Sequence, residues 1–334
     1  MQLTFRHITG YFLLFLPVHF AQAGPTTEQA LQWLNRMAQA ASTLSYDGTF
    51  VYVHQDSMET MRIIHKGGKE ENFEHLISLN GSKREVIKKN NKVTCFLPNN
   101  KQVVVEQKHN LVPFLASLSA RIDKVRDYYD FELGDIDRVA GFRAQEVKVN
   151  PRDNYRFGYR LWLDTRNAML LKSQLLNEQG LPIEQIMFTN FTLLASVPDQ
   201  MLAPEAEQHA PSTWITDEKI SVDAQPSKDE WRIAWLPEGF IVSSKHLRNS
   251  SIASYPIHHY LLSDGFASVS VFVERRTAQE VNSPLAEVKK GAISAYSTIS
   301  GDFKVTTVGE VPMPTVKRIA QSVQYVSQAG SSGP

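Results

Sequence analysis

The chain has 334 residues, with 35 Lys or Arg against 35 Asp or Glu and a single cysteine. That balance argues against a dedicated nucleic-acid binder, for which a basic face is the usual footprint, and the lone Cys95 excludes an intramolecular disulfide. The N-terminus sets an expected destination. Arg6 and His7 form a short basic region, Ile8 to Phe20 is almost continuously apolar, and Ala21-Gln22-Ala23 has the small-x-small pattern of a cleavage site. Residues 1–23 are therefore predicted to be a secretory signal peptide, with a mature start at Gly24. The apolar run is short for a membrane span and contains Pro17, and no Cys follows the cleavage site as a lipoprotein would need. Without the leader, 34 basic residues face 35 acidic ones, a net charge of −1. The remaining chain, about 310 residues, is long enough for two cores.

In chain order, "TTEQALQWLNRMAQAASTL" opens as a helix. Thr26 and Gln29 have capping-box spacing, and Ala30, Leu34, Met37, Ala41 and Leu44 recur on one face. The period then switches to two. Strands are predicted at 46–54, 58–65, 73–81, 82–88, 92–98 and 101–107, punctuated by Gly and Asn clusters. The Lys-rich run "KREVIKKNNK" (83–92) reads as a solvated hairpin that protects a sheet edge. A second helix is predicted over 112–130, with Leu115, Leu118, Ile122, Val125 and Tyr129 in one stripe. Strands resume from 130 to 151 and pass through "FGYRLWLDTRNAMLLKSQLLNEQG" (157–180), read as two strands and a turn. They end at "PIEQIMFTNFTLL". This pattern predicts a large one-sided antiparallel sheet with helices laid on it. Pro198, Pro204, Pro211 and Pro226 mark an extended linker, in which Trp214 and Ile215 suggest docking on a domain. A smaller α+β unit follows from "WRIAWLPEGF". Asp264-Gly265 signals its central hairpin turn, and an amphipathic helix over 315–326 closes it. The predicted boundaries are 1–23 leader, 24–200 β-rich domain, 201–228 linker and 229–330 small domain.

Catalytic motifs are missing from the sequence. It contains no G-x-S-x-G elbow, S-x-x-K pair, H-E-x-x-H helix or Walker-type loop, so the expectation is a non-enzyme with no catalytic residue and no cofactor. Cys95 in "KVTCFLP" is expected to be a buried, inert thiol. His258 and His259 would point to opposite faces of a strand. His54, His65 and His75 lack cysteine or close carboxylate spacing, so no metal is expected. "DIDR" (135–138) reads as turn residues. What remains is the apolar set Phe50, Tyr52, Phe157, Tyr159, Leu161, Leu163 and Met187. Alternation puts Phe157, Tyr159, Leu161 and Leu163 on one face and Gly158, Arg160, Trp162 and Asp164 on the other. Such a face makes either a filled core or the wall of a cavity, because both need the same pattern.

"DRVAGFRAQEVKVNPRDNYRFGYRLWLDTRNAMLLKSQLLNEQG" closely resembles the RseB/MucB family, periplasmic negative regulators of the sigma-E envelope-stress response. "YDGTFVYVH", "WRIAWLPEGF", "GFASVSVFVE" and "FKVTTVGEVPMPTVKRIAQSV" match independently, so the resemblance covers essentially the whole mature chain. One departure is "SAYSTISG" (294–301), where a Gly is expected after the Tyr. The resemblance implies an unclosed antiparallel β-barrel with covering helices, similar to LolA and LolB, plus a smaller α+β domain. It implies a periplasmic protein that binds the periplasmic domain of a membrane-spanning anti-sigma factor and shields it from regulated proteolysis. Mislocalised lipid or lipopolysaccharide would release it, and homo-oligomers are expected. On that reading the seven apolar residues line an acyl-chain pocket, with Arg143, Arg160 and Lys172 at its rim to meet phosphate groups. The competing reading is a periplasmic lipid or lipoprotein carrier.

Overall fold

The computed structural model describes residues 27–68, 72–89, 92–97, 102–107, 125–204, 213–215, 231–248, 256–276 and 285–326. The expected leader, the Thr26 cap and residues 112–124 of the expected second helix lie outside them.

Helix α1 (Thr27–Thr43) buries Ala30, Leu31, Leu34, Met37, Ala38 and Ala40, the apolar stripe that its spacing dictates. Its partner is a sheet of β1 (Tyr46–His54), β2 (Ser57–Lys66), β3 (Phe73–Ser78), β4 (Glu85–Lys89), β5 (Lys92–Leu97), β6 (Gln102–Gln107), β7 (Tyr129–Val139), β8 (Phe142–Pro151), β9 (Gly158–Asp164), β10 (Leu170–Leu176), β11 (Pro182–Leu193) and β12 (Thr213–Ile215). Their order is β12-β6-β5-β4-β3-β2-β1-β11-β10-β9-β8-β7, an unclosed sheet with β7 and β12 at its ends. Every described pairing is antiparallel except the parallel β12–β6 ladder, by which the linker stretch containing Trp214 docks on the sheet edge. Strand β1 sits mid-sheet because it pairs with both β2 and β11, closing the first and last strands of the meander on each other.

A one-turn helix, α2 (Asp199–Leu202), leaves the sheet toward the linker. His75 fastens it: Nδ1 lies 3.0 Å from the Met201 carbonyl oxygen and Nε2 lies 3.1 Å from Glu85. The smaller domain comprises β13 (Trp231–Ile233), β14 (Ile241–Arg248), β15 (Ile257–Ser263), β16 (Ser268–Arg275), β17 (Glu287–Lys290), β18 (Ile293–Ser300), β19 (Phe303–Gly309), α3 (Met313–Gln321) and β20 (Val323–Tyr325). Six strands run β14-β15-β16-β19-β18-β17, and β13 pairs with β20. Val316, Ile319 and Ala320 of α3 pack with Val269, Val271, Val273 and Val305, all alternating sheet residues, in this domain's own core.

Four expectations are corrected. Tyr129 is the first residue of β7, paired with Pro151, rather than the end of a helical stripe. Residues 135–138 belong to that same edge strand, past a register shift between Leu133 and Ile136, and are not a turn; the turn falls at Ala140-Gly141, both at positive φ. The closing helix stops at Gln321, because Val323 to Tyr325 form a ladder with Trp231 to Ile233. Cys95 is half-buried rather than buried.

One close approach carries a prediction. A Cβ on Gly48 would lie 2.6 Å from the Phe188 ring and 3.0 Å from the Asn190 carbonyl oxygen. That ring is held by Tyr46, Phe50 and Phe191, with centroids 6.2, 5.7 and 5.5 Å away. Gly48→Ala is therefore expected to overpack the core and cost about 1–3 kcal/mol, read as a lower urea midpoint at unchanged slope.

Candidate functional site at the domain junction

The loop between β8 and β9 and the turn between β15 and β16 meet between the two domains. Asp264 organises the turn: its Oδ1 accepts from the backbone N–H groups of Phe266 at 2.9 Å and Ala267 at 2.8 Å. That is the ordinary local chemistry of an Asp in a turn. It leaves Oδ2 pointing outward, where it accepts from Arg156 Nη1 at 2.8 Å and from the Tyr129 hydroxyl at 2.9 Å. Both side chains of the Arg156–Asp264 pair are fully buried. Arg156 directs three more donors to Asp153 through Nε and Nη2 and to the Glu238 carbonyl through Nη2, at 2.7 to 3.1 Å. The rings of Tyr128, Tyr129 and Phe240 flank the guanidinium, 5.2 to 5.4 Å from each centroid. Tyr128 also lies so close over Gly239, at φ +83, that no Cβ would fit there.

The electrostatics follow from burial. Burial first, and the Asp264 carboxylate second, push the Tyr129 hydroxyl well above its ordinary range, so it stays protonated and donates. Desolvation disfavours the Arg156 charge, but the carboxylates of Asp264 and Asp153 outweigh it, and its pKa rises. Arg156 therefore keeps its charge, with Asp264 as its partner across the junction.

Further contacts flank the ion pair at the junction. At the start of α3, the Thr315 hydroxyl donates to the Tyr155 carbonyl at 2.9 Å, and Arg318 Nη1 donates to the Tyr155 hydroxyl at 2.6 Å. The Arg318 guanidinium lies 4.1 Å from the Trp235 ring, which meets Tyr155 edge-on. On the other side, Ala292 N–H donates to Glu184 Oε1 at 3.2 Å. Beside it opens a cavity of 550 Å³ whose lining includes Val53, Gln55, Ile183, Glu184, Lys289 and Gly291.

The seven apolar residues divide into two groups. Phe157, Tyr159, Leu161 and Leu163 pack with α1 in one buried cluster, which also takes in Phe266 and Ala292 of the smaller domain. Phe50 belongs to a second cluster, with Tyr52 and Met187 half-buried against it. Arg160 and Lys172 project from the face of β9 and β10 opposite to Leu161 and Leu163; Lys172 Nζ stands 4.0 Å from the Trp162 ring centroid and is the cross-strand partner of Met187. They therefore edge the Met187 side and not the α1 side. Arg160 Nε lies 3.8 Å from Glu146. Arg143 is exposed at the β7–β8 hairpin end, directly opposite Arg138. The sequence reading missed Arg156, Asp264 and Phe266. The available signal was a Phe in a hairpin tip, where a solvated turn would carry a polar residue.

The architecture is that of a two-domain protein, an unclosed sheet packed on a helix and joined through a buried ion pair to a small α+β domain. The family model described as the MucB/RseB N-terminal domain matches residues 29–206, and that of the MucB/RseB C-terminal domain matches residues 225–324. The chain belongs to the MucB/RseB family. It is 31% identical to the sigma factor AlgU regulatory protein MucB of Pseudomonas aeruginosa over 320 residues, 95% of this chain and 97% of that protein. It is 29% identical to the sigma-E factor regulatory protein RseB of Haemophilus influenzae over 299 residues, 89% of this chain and 91% of that one. Among solved structures, the Pseudomonas aeruginosa MucA/MucB complex aligns with a TM-score of 0.71 at 29% identity, covering 89% of this chain and 99% of that chain. MucB in complex with MucA(peri) aligns at 0.69, also 29% identical, with the same coverage.

Proposed function

We propose that this chain is exported to the periplasm, binds the periplasmic domain of a membrane-spanning anti-sigma factor and shields it from regulated proteolysis. Mislocalised lipid or lipopolysaccharide then releases it. The observation that carries the reading is likeness along both domains to MucB, a protein crystallised with MucA(peri). The junction supports it too, because a partner lying across both domains would meet one fastened surface.

Release by lipid requires that the lipid bind the free form better than the complex, by several kcal/mol for a full switch. The test is calorimetric titration of the mature chain with the periplasmic domain of its host's anti-sigma factor, repeated with lipopolysaccharide present. The expected result is tight binding that weakens with lipid. Lipid uptake with no protein binding would instead describe a two-domain lipid carrier. Arg160 and Lys172 edge the Met187 face, so Arg160→Glu with Lys172→Glu is expected to weaken lipopolysaccharide-driven release about tenfold or more only if the lipid phosphates seat on that face. Unchanged release would remove both residues from the lipid site.

A further inference from the structure

Phe266 is out of place by domain. Its neighbours Leu262, Ala267 and Val269 build the core of the smaller domain, yet the Phe266 ring lies in the cluster formed by α1 and the large sheet. Three rings of the larger domain surround it: Tyr129, Tyr159 and Phe131, with centroids 5.0, 5.6 and 6.3 Å away. Withdrawn from this seat, the ring would leave an aromatic-lined recess continuous with Phe157, Leu161 and Leu163.

A cavity lies beside this cluster. Ile183 packs against the same cluster and also lines the 550 Å³ cavity at the junction. Polar contacts between the domains surround the seated ring: the Arg156–Asp264 pair two residues away, the Tyr129 hydroxyl bond, and the Ala292 bond to Glu184.

We infer that Phe266 is an internal plug: by this ring the docked smaller domain occupies the space between α1 and the large sheet that an acyl chain would take. Lipid entry and undocking of the domains are then one event. This rests on the lipid-release reading above and gives it a mechanism, because a partner that needs both domains in register loses its surface when an acyl chain displaces the ring. The occupant is an acyl chain rather than a polar ligand, since the recess is walled by Phe157, Leu161, Leu163 and the edges of aromatic rings.

The test uses the full mature chain and cis-parinaric acid, a fluorescent polyene fatty acid, with the radius of gyration followed by small-angle X-ray scattering. Phe266→Ala vacates the seat and is expected to bind the probe about tenfold tighter than the parent, since a site that must first be vacated binds more weakly by the fraction of time it is open. Phe266→Leu, a milder change whose folding is checked by calorimetry, is expected to fall between the two. In the parent chain, saturation with the probe is expected to raise the radius of gyration. Equal affinity in all three chains would overturn the plug while leaving lipid binding intact, and so would binding by the parent at constant radius of gyration. Failure of all three to take up the probe would overturn the lipid reading, and the plug with it.

Discussion

Asp264→Ala is expected to lower stability by about 3–5 kcal/mol, the cost of breaking a buried ion pair from one side. The loss is large because Arg156 cannot escape: its side chain is fully buried, and Asp153, which stays, is itself partly exposed. The substitution also strips the turn of the acceptor for Phe266 and Ala267 and leaves the buried Tyr129 hydroxyl without its partner. Asp264→Asn keeps one oxygen for the turn but replaces the outer acceptor with an NH2 donor facing the Arg156 and Tyr129 donors, so most of the loss should remain, about 3 kcal/mol, whereas Tyr129→Phe should cost about 1 kcal/mol. Differential scanning calorimetry reads both the size and the kind of change. Multidomain chains depart from two-state unfolding when their domains uncouple, so Asp264→Ala should divide the endotherm into two transitions, whereas Tyr129→Phe should not. If Asp264→Asn proved as damaging as Asp264→Ala, the charged outer acceptor would be the whole contribution and the turn geometry would be incidental.

What was legible in the sequence was local. Alternation identified β9 and β10 and the sidedness of Phe157, Tyr159, Leu161 and Leu163, because a strand period of two leaves few other readings for "FGYRLWLD". The motifs of the RseB/MucB family supplied the larger architecture. The errors came where a helical period continued by coincidence into a segment that pairs elsewhere. Val125 and Tyr129 stand four apart, as a helix face requires, but Tyr129 is captured by the ladder with Pro151. Val323 likewise continues the stripe of Val316 and Ile319, but its backbone pairs with Ile233. Tertiary pairing overrode propensity in both places. The junction was hidden for a different reason. Asp264 obeys every local rule of a turn residue, and only its second oxygen, which no sequence rule assigns, reaches Arg156. Partner geometry of that kind requires the two domains to be placed.

The second large effect separates core from pocket within the apolar set. Phe157 is 1% exposed, packs with α1 and the sheet, and adjoins Arg156 in sequence. Phe157→Ala is expected to cost about 3–5 kcal/mol, the transfer free energy of the ring plus the cavity it leaves. Met187 is only half-buried, and Met187→Ala should cost about 1 kcal/mol, nearer the range of surface changes. Thermal unfolding with and without parinaric acid decides what the vacated space does. If the α1 side takes an acyl chain once Phe266 leaves, the probe should recover part of the stability lost in Phe157→Ala, because a ligand bound only to the folded state stabilises it by mass action. Recovery in Met187→Ala alone would place the acyl chain on the opposite face, beside Lys172 and Trp162, where Phe266 has no part in its entry. Phe157 and Asp264 act on one junction, so their costs should not add: in Phe157→Ala combined with Asp264→Ala the total should fall short of the sum, by about 0.5–3 kcal/mol for coupled neighbours. A strictly additive pair would mean that the ion pair and the aromatic seat hold the domains independently, and that releasing one does not loosen the other.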